Sequence, residues 1–316
     1  MHFRRKGSMM RRYLGIDVGG TNIKYALMDP EGEILEKGET PTAAETLEEH
    51  IDALAAIAVR YPQAEALVMS APGRIDSSRG YFYTGGALNF IHETPLAELL
   101  SERLGIPVTT ENDGKCAALA ELWKGALRGV ENGVVMTLGT AVGGGLILDG
   151  KLRRGQTFAA GEFSWISTDH AGAYGIPTLW GTHGGAGALT GRYEERCGLG
   201  PGSVDGREFF SRLDAGDPAA QAVLKDYAAY MAKGILSLQS VLDVEVFAIG
   251  GGISRQPALI EALDRAVGTL FGKHAAYLPM YRPRITACRF GNDANLIGAL
   301  YHHLELAERA ETVRDR

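Results

Sequence analysis

Cysteine, long apolar runs and excess positive charge are scarce or missing in this sequence, and each absence excludes a class of protein. The 316 residues include three cysteines and no CxxC pair, which argues against a disulfide framework and a thiolate metal site. No apolar run approaches the roughly 18 residues that a membrane span requires. The formal net charge of −6 disfavours nucleic acid as a partner. We therefore expect a cytoplasmic protein that binds neither a membrane nor nucleic acid.

A secretion signal is also missing from the start of the sequence. The first twelve residues, MHFRRKGSMMRR, are basic, and no hydrophobic segment follows them, so they do not predict a signal peptide. We interpret residues 1–11 as vector-derived residues or a disordered tail, and we expect the fold to begin near Arg12.

Glycine, in contrast, is abundant, and many of the 42 glycines cluster in turns. Apolar segments joined by glycine-containing turns predict three short strands near the start of the chain and three more in its middle. These predicted strands cover residues 13–18, 25–29, 34–37, 133–138, 145–148 and 151–154. Predicted helices and further strands follow each set, which makes a weak internal repeat.

The repeat predicts an α/β protein with two similar lobes around a cleft. No low-complexity linker separates the lobes, and we expect the boundary near residues 111–114. The alternative architecture is one doubly wound sheet with a β-meander at its edge.

The first glycine turn carries a carboxylate and a hydroxyl, in the order Asp17, Gly19, Gly20 and Thr21. A turn of this kind leaves backbone N–H groups available to an anion and lets the main chain approach a ligand closely. A carboxylate would repel phosphate unless a divalent cation lay between them, and Mg²⁺ prefers such oxygen ligands. The turn therefore predicts half of a magnesium–phosphate site. The alternative is a tight hairpin whose glycines only supply positive φ.

Two further glycine clusters strengthen the ligand interpretation. GTAVGGG at 139–145 repeats the first turn in the second lobe, and AIGGGIS at 248–254 separates a predicted strand from a helix. The chain contains no GxxxxGK[ST] motif, so a P-loop nucleotide site is not expected.

Several stretches occur in an order that is similar to a known family. They read DVGGTNIKYALMD, APG, ENDGKCAALAELWKG, GTAVGGGLILDGKLRRG, AGE, AIGGGIS and GNDANLIGAL. This order resembles the ROK family of sugar kinases and repressors, within the actin-like ATPase superfamily, over nearly the whole chain. The resemblance implies two actin-like, ribonuclease H-like lobes. They would cover 12–113, with a helix at about 298–316 packing back on this lobe, and 114–297.

The resemblance also implies a reaction and a set of site residues. ATP and Mg²⁺ would bind in the cleft, and a sugar hydroxyl, the 6-hydroxyl of a hexose, would be phosphorylated. The residues that would contact the nucleotide are Asp17, which would hold Mg²⁺ through water, and Gly19, Gly20, Thr21, Gly139, Thr140, Gly143, Gly250, Gly251 and Gly252. The residues that would contact the sugar are Asn112, Glu162, Asn89 and Trp165.

Asp113 is the expected catalytic base. A sugar hydroxyl is a poor nucleophile, and a carboxylate within hydrogen-bond reach can orient it and take its proton. The rest of phosphoryl transfer is positioning and charge neutralisation. The alternative role for Asp113 is that of an N-cap, because a helix is predicted directly after it.

The chain departs from the family pattern around residues 161–165, GEFSW. Trp165 stands where many members have a zinc-binding histidine, and the cysteines of their zinc site have no counterpart, so we expect no zinc. His170 and His183 are weak evidence for a metal site. The GEFS form is similar to that of bacterial β-glucoside kinases. Trp165 and Trp180 would stack on a sugar or its C1 substituent, or else form a small loop core.

Three functions remain open at this level. The first is a β-glucoside or hexose kinase, and the second is a kinase for glucose or N-acetylmannosamine. The third is a ROK-type transcriptional regulator without catalysis, which the short segment before Tyr13 disfavours because it does not fit a DNA-binding domain. The resemblance further implies a homodimer with a small-molecule sugar substrate.

Overall fold

The computed structural model describes residues 11–169, 172 and 174–314. The tail before residue 11 and His170 lie outside the described residues. The chain divides into two compact units. Among the described residues, the first unit contains 11–119 and 295–314, and the second contains those between 120 and 294.

The first unit is built on a five-stranded sheet in the order β3-β2-β1-β4-β7. Its strands are β1 (Tyr13–Val18), β2 (Asn22–Met28), β3 (Ile34–Pro41), β4 (Ala66–Ala71) and β7 (Val108–Asn112). β1 pairs antiparallel with β2 and parallel with β4, and β4 pairs parallel with β7. Every residue of β1 and β4 is buried, as expected for central strands covered on both faces. A small hairpin, β5 (Ile75–Asp76) and β6 (Tyr81–Phe82), lies apart from this sheet.

Capping residues explain where two helices of the first unit begin or end. α1 begins after Thr46, whose side chain forms a capping box with Glu49. α2 ends at Gly105, which has a φ of 70° in the left-handed region. These helices are α1 (Leu47–Ala58), α2 (Leu96–Leu104), α3 (Asp113–Lys124), which contains the unit boundary, and α9 (Ala294–Arg314).

The second unit repeats the same sheet, in the order β10-β9-β8-β11-β12. Its strands are β8 (Gly133–Leu138), β9 (Val142–Leu148), β10 (Lys151–Arg153), β11 (Val246–Gly250) and β12 (Arg284–Ala287). β8 pairs antiparallel with β9 and parallel with β11, and β11 pairs parallel with β12. Its helices are α4 (Trp180–Gly184), α5 (Ala186–Cys197), α6 (Gly206–Asp214), α7 (Pro218–Leu242) and α8 (Pro257–His274).

The two sheets have the same strand order and the same orientations, so the predicted repeat and the predicted α/β class are confirmed. A single doubly wound sheet, the alternative, is wrong because each sheet has its own core. Leu14 and Leu67 belong to one buried cluster, and Val134 and Phe247 belong to the other. None of the described helices is long and apolar enough to cross a membrane.

Candidate active site

Asp17 lies at the carboxyl end of β1, buried inside the first unit with 8% of its surface exposed. Its Oδ1 accepts hydrogen bonds from Ser70 Oγ at 2.9 Å and from Asn295 Nδ2 at 3.0 Å. Burial raises the pKa of the Asp17 carboxyl above its ordinary value, and the bonds from Asn295 and Ser70 oppose the rise. The carboxylate is therefore held in one orientation at an energetic cost, which is common at functional sites.

The first glycine turn begins directly after β1, which carries Asp17. The N–H of Gly19 donates to the carbonyl of Asn22 at 3.0 Å, which leaves Gly20 and Thr21 as the exposed residues of the turn. Neither Gly19 nor Gly20 has a positive φ. The interpretation that these glycines only serve a left-handed turn is therefore wrong. A Cβ on Gly19 would lie 2.9 Å from the carbonyl oxygen of Asn22, whereas no other described residue lies within 4 Å of a Cβ on Gly20.

Asn112 and Asp113 stand at the carboxyl end of β7, on the edge of the sheet to which Asp17 also belongs. Asn112 Nδ2 donates to Asp113 Oδ1 at 2.9 Å and to the carbonyl of Gly73 at 3.0 Å. Asn112 Oδ1 accepts from the N–H of Lys115 at 3.2 Å. Asn112 is buried and Asp113 is half-buried. The helix cap that was the alternative role of Asp113 is thus supplied by Asn112.

The carboxylate of Asp113 is oriented by two donors. Oδ1 accepts from Asn112 Nδ2 and from the N–H of Gly114 at 2.8 Å. Two donors on one carboxylate oxygen fix the plane of the group before a substrate arrives. Both N–H groups of the Asn112 amide are engaged within the chain, so a ligand would meet Asn112 through the remaining lone pair of its Oδ1.

Asn89 lies at the start of a short 3₁₀ turn, Asn89–Ile91, and it is exposed. Its carbonyl accepts from the N–H of His92 at 3.3 Å. Its predicted contact with the sugar stays a prediction.

The second glycine turn, in the second unit, repeats the first one. The N–H of Gly139 donates to the carbonyl of Ala141 at 3.1 Å, and Gly139 and Thr140 are exposed. Gly139 and Gly143 have no positive φ. A Cβ on Gly143 would lie 2.9 Å from Thr137 Oγ1, but no other described residue lies within 4 Å of a Cβ on Gly139.

Glu162 and Trp165 lie beside the second glycine turn. Glu162 directly precedes the 3₁₀ turn Phe163–Trp165, and Trp165 is its last residue. Ser164 links this turn to the start of β9. Ser164 Oγ donates to the carbonyl of Val142 at 2.9 Å and accepts from its N–H at 3.1 Å. Glu162 is exposed, and Trp165 has 63% of its surface exposed. The turn thus presents a carboxylate and an indole three residues apart next to a glycine turn.

Trp165 and Trp180 have different roles, although the sequence offered them as a pair. Trp180 is only 1% exposed, and its indole occupies a slot that needs glycine at two positions. A Cβ on Gly234 would lie 2.3 Å from Trp180, and one on Gly184 would lie 3.0 Å from it. A small loop core of both tryptophans is therefore wrong, because Trp165 is exposed and Trp180 belongs to the main core of the second unit. His183 Nε2 lies 2.7 Å from the carbonyl of Pro177.

The third glycine turn separates β11 from α8. Gly251 has a φ of 94°, and a Cβ there would lie 2.2 Å from the carbonyl oxygen of Leu138. A Cβ on Gly250 would lie 3.3 Å from both Cys288 Sγ and Thr137 Cγ2. Gly252 differs, because it has no positive φ and no other described residue lies within 4 Å of its Cβ position. Each of the three turns thus contains one exposed glycine that the fold itself does not require.

Gly252 lines a cavity of about 460 Å³ that lies within the second unit. This volume is within the range of small-molecule sites. The wall consists of the N-terminal end of α6, the turn after β11 and the segment before α9, and its lining residues include Asp205, Arg207, Phe210, Gly252, Arg255 and Asn292. Two guanidinium groups and a phenyl ring suit a flat, electron-rich ring system.

A magnesium site of the predicted kind fits these residues. Among the described residues, no group of three or more His, Cys, Asp or Glu side chains is arranged to hold a metal ion. Mg²⁺ that is bound chiefly by nucleotide phosphates and water needs only one or two carboxylates, and the fixed carboxylate of Asp17 suits this role. The absence of zinc stays a prediction.

A sequence model of the ROK family matches residues 13–305 of the chain. The chain belongs to the ROK family. It is 32% identical to the β-glucoside kinase of Klebsiella pneumoniae over 92% of this chain and 95% of that protein.

Solved structures agree with the family assignment. A ROK family protein from Streptococcus pneumoniae TIGR4 in complex with sucrose is 30% identical with a TM-score of 0.84, over 94% of this chain and 99% of that chain. A ROK family glucokinase from Streptomyces griseus in complex with glucose and AMPPNP is 29% identical with a TM-score of 0.76, over 92% and 98%. The likeness confirms the actin-like class predicted for the fold.

Sequence reasoning missed the residues that hold the predicted ones in place. Ser70 and Asn295 orient Asp17, and Ser164 fixes the Glu162 turn. Asn295 lies in the stretch GNDANLIGAL, which the family resemblance includes, so that stretch was the available signal. Nothing in the sequence indicated that Arg207 and Arg255 line this cavity, because exposed arginines are common on any protein surface.

Proposed function

We propose that this ROK-family chain is an ATP-dependent sugar kinase in which Asp113 is the general base. Relatives that match nearly its whole length include a β-glucoside kinase and two glucokinases. The observation that supports the role of Asp113 best is its position at the carboxyl end of β7, with Oδ1 held by Asn112 and Gly114.

The proposed reaction needs one proton transfer and one phosphoryl transfer. A sugar hydroxyl donates a hydrogen bond to the Asp113 carboxylate, and its oxygen attacks the γ-phosphorus of ATP. The bond from this phosphorus to the β,γ-bridging oxygen breaks, ADP leaves, and Asp113 takes the hydroxyl proton. Mg²⁺, held through water by Asp17, would neutralise charge on the phosphates.

The exposed glycine in each of the three turns supports our proposal that the chain binds a nucleotide. Gly20 and Gly139 each belong to a β-turn-β loop whose N–H groups suit phosphate oxygens. Gly252 opens onto the 460 Å³ cavity, whose arginines suit the adenine ring. We assign the two loops to the phosphates and the cavity to the adenosine.

A β-glucoside is the substrate class that we favour. The Klebsiella relative is a β-glucoside kinase, and the exposed Trp165 indole lies three residues after Glu162. Aromatic side chains bind the apolar faces of sugars and of substituents at C1. Glucose is the second candidate, because glucokinases also match the chain. The homodimer predicted from the sequence stays a prediction.

The proposal is tested by coupled ADP release over a panel of sugars. The panel contains cellobiose, a simple aryl β-glucoside, glucose, N-acetylmannosamine, mannose and fructose. We expect turnover that depends on ATP and Mg²⁺, with the highest kcat/KM for a β-glucoside. Turnover of glucose alone would shift the assignment to a glucokinase, and no turnover of any sugar would contradict the kinase proposal.

A further inference from the structure

A second surface of the second unit has the form of a binding groove, apart from the residues discussed above. It lies between α7 and α8 and encloses a cavity of about 780 Å³. Its floor is apolar and consists mainly of alanine and leucine side chains, namely Leu224, Ala228, Ala232, Ala258, Ala262, Ala266 and Leu270. The floor residues on α8 span from Ala258 to Leu270, about 18 Å along the helix.

The rim of the groove carries charge of nearly one sign. Lys225 and Lys233 border it on α7, and Arg265 and Lys273 border it on α8, with Glu261 as the one carboxylate among the lining residues. All four cations are exposed. None of them forms a salt bridge with another described residue. A basic rim is notable in a chain whose net charge is −6.

We propose that the α7–α8 groove is a docking site for an acidic amphipathic helix of a partner protein. Two adjacent helices form a channel into which the ridge of a third helix packs, and alanines on the floor allow a close approach. Helix-in-groove binding uses an apolar stripe at i, i+3, i+4 and i+7. Glutamates that flank this stripe would face the four unpaired cations.

Two other occupants fit the groove less well. The start of this chain, MHFRRKGSMM, carries basic residues that the rim would repel. A second copy in a two-fold contact would bring the same four cations close to their counterparts, because such a contact pairs each patch with itself. Charge complementarity therefore favours a different, acidic chain.

The test uses two fluorescein-labelled 18-residue peptides and the full chain. Both peptides carry the same leucine and alanine stripe, one flanked by glutamates and the other by lysines. Fluorescence anisotropy gives the Kd of each, at low and at physiological salt. We expect saturable binding of the glutamate peptide at least about tenfold tighter than that of the lysine peptide, with a difference that shrinks as salt increases.

Two double variants distinguish the groove from general electrostatics. Lys225→Glu with Lys233→Glu reverses the rim charge on α7. Lys151→Glu with Arg153→Glu makes the same charge change at exposed residues of β10. The first variant should weaken binding of the glutamate peptide at least about tenfold, and the second should leave it within about twofold. Both should keep the sugar kinase rate and the thermal unfolding midpoint of the wild type.

Three results would overturn the proposal. The first is no saturable binding of the glutamate peptide, and the second is an equal loss in the two double variants. The third comes from sedimentation velocity. If the wild type is a dimer and only the rim variant is a monomer, the groove is an interface between two copies of this chain.

Discussion

Asn112 Nδ2 donates a hydrogen bond to Oδ1 of Asp113 over 2.9 Å, and these two neighbours hold each other in place at the end of β7. The amide caps α3 through Lys115 N–H, whereas the carboxylate is kept half-exposed. Two roles that the sequence assigned to one residue are thus divided between two. Asn112 caps the helix, and the half-exposed Asp113 is the proposed base.

Asp113→Asn should abolish most turnover and leave the fold intact. The amide oxygen of asparagine can accept the same bonds from Asn112 and Gly114, but the amide cannot take a proton from a hydroxyl. We expect kcat to fall by about 10²- to 10⁴-fold, the range for a lost general base. Coupled ADP release measures the rate. Calorimetric binding of the sugar and the thermal midpoint are the controls, and retention of most activity would show that Asp113 is not the base.

The strands that carry the site were predictable because their signals are local. Tyr13–Val18 is buried at every position, and its apolar residues up to Ile16, followed by Asp17, were visible in the sequence. The three glycine turns were found for the same reason. The helices α4, α5 and α6 and the small hairpin β5–β6 were not predicted. α4 and the two hairpin strands are too short to show a clear period.

The contacts that complete the site could not be predicted in this way. Asn295 reaches Asp17 from a helix that begins 277 residues after Asp17, and no local pattern encodes this pairing. Trp165 and Trp180 look alike in the sequence, and only packing decides that the second is enclosed by Gly184 and Gly234. Tertiary contacts thus set which of two similar residues is available to a ligand.

Replacing Gly251 by alanine should lower stability, whereas replacing Gly252 by alanine should weaken ATP binding. Gly251→Ala forces a Cβ against Leu138 at a positive φ, so we expect a loss of about 2 kcal/mol or more in unfolding free energy. Gly252→Ala meets open space, and stability should change by less than about 1 kcal/mol. The KM for ATP of Gly252→Ala should instead increase about tenfold, or about 1.4 kcal/mol. Chemical denaturation and ATP titration measure the two effects. An unchanged KM in Gly252→Ala would exclude the cavity as the adenosine site.

Asp17→Asn should weaken magnesium-dependent activity without weakening the fold. Burial raises the pKa of the Asp17 carboxyl, so the charged form is disfavoured in the folded protein, and its neutral isostere should raise or preserve the thermal midpoint. Loss of the charge should raise the Mg²⁺ concentration for half-maximal activity by about 10- to 100-fold. Titration of the rate with Mg²⁺ measures this shift. A lower midpoint with unchanged Mg²⁺ dependence would make Asp17 a structural residue only.

Trp165→Ala should change the choice of sugar, and Trp180→Ala should change stability. Trp165 is 63% exposed, so its loss leaves no cavity, and the KM for cellobiose should increase about tenfold while that for glucose stays within about twofold. Trp180 is enclosed, and its truncation should cost about 3–5 kcal/mol. Steady-state kinetics on both sugars and urea unfolding measure these effects. Equal changes in KM for cellobiose and glucose would exclude a contact between Trp165 and the second glucose ring of cellobiose.

His50 should make the first unit sensitive to mild acid. Its ring is fully buried, with a centroid 5.3 Å from that of Phe90, and neither ring nitrogen has a hydrogen-bond partner among the described residues. Burial lowers the pKa of His50 from 6.5 to about 4. The unfolded chain therefore binds a proton near pH 6.5 that the folded chain does not bind until about pH 4.

The contribution of neutral His50 to the free energy of unfolding is therefore full above about pH 6.5, and it is lost as the pH falls toward 4. Between pH 7 and 5 the loss is about 2 kcal/mol. His50→Leu cannot take up this proton, so its unfolding free energy should fall by about 2 kcal/mol less than that of the wild type over the same interval. Urea unfolding at pH 7, 6 and 5 measures both proteins. Parallel pH profiles would mean that His50 is protonated in the folded chain, and that a partner or a water molecule satisfies its ring.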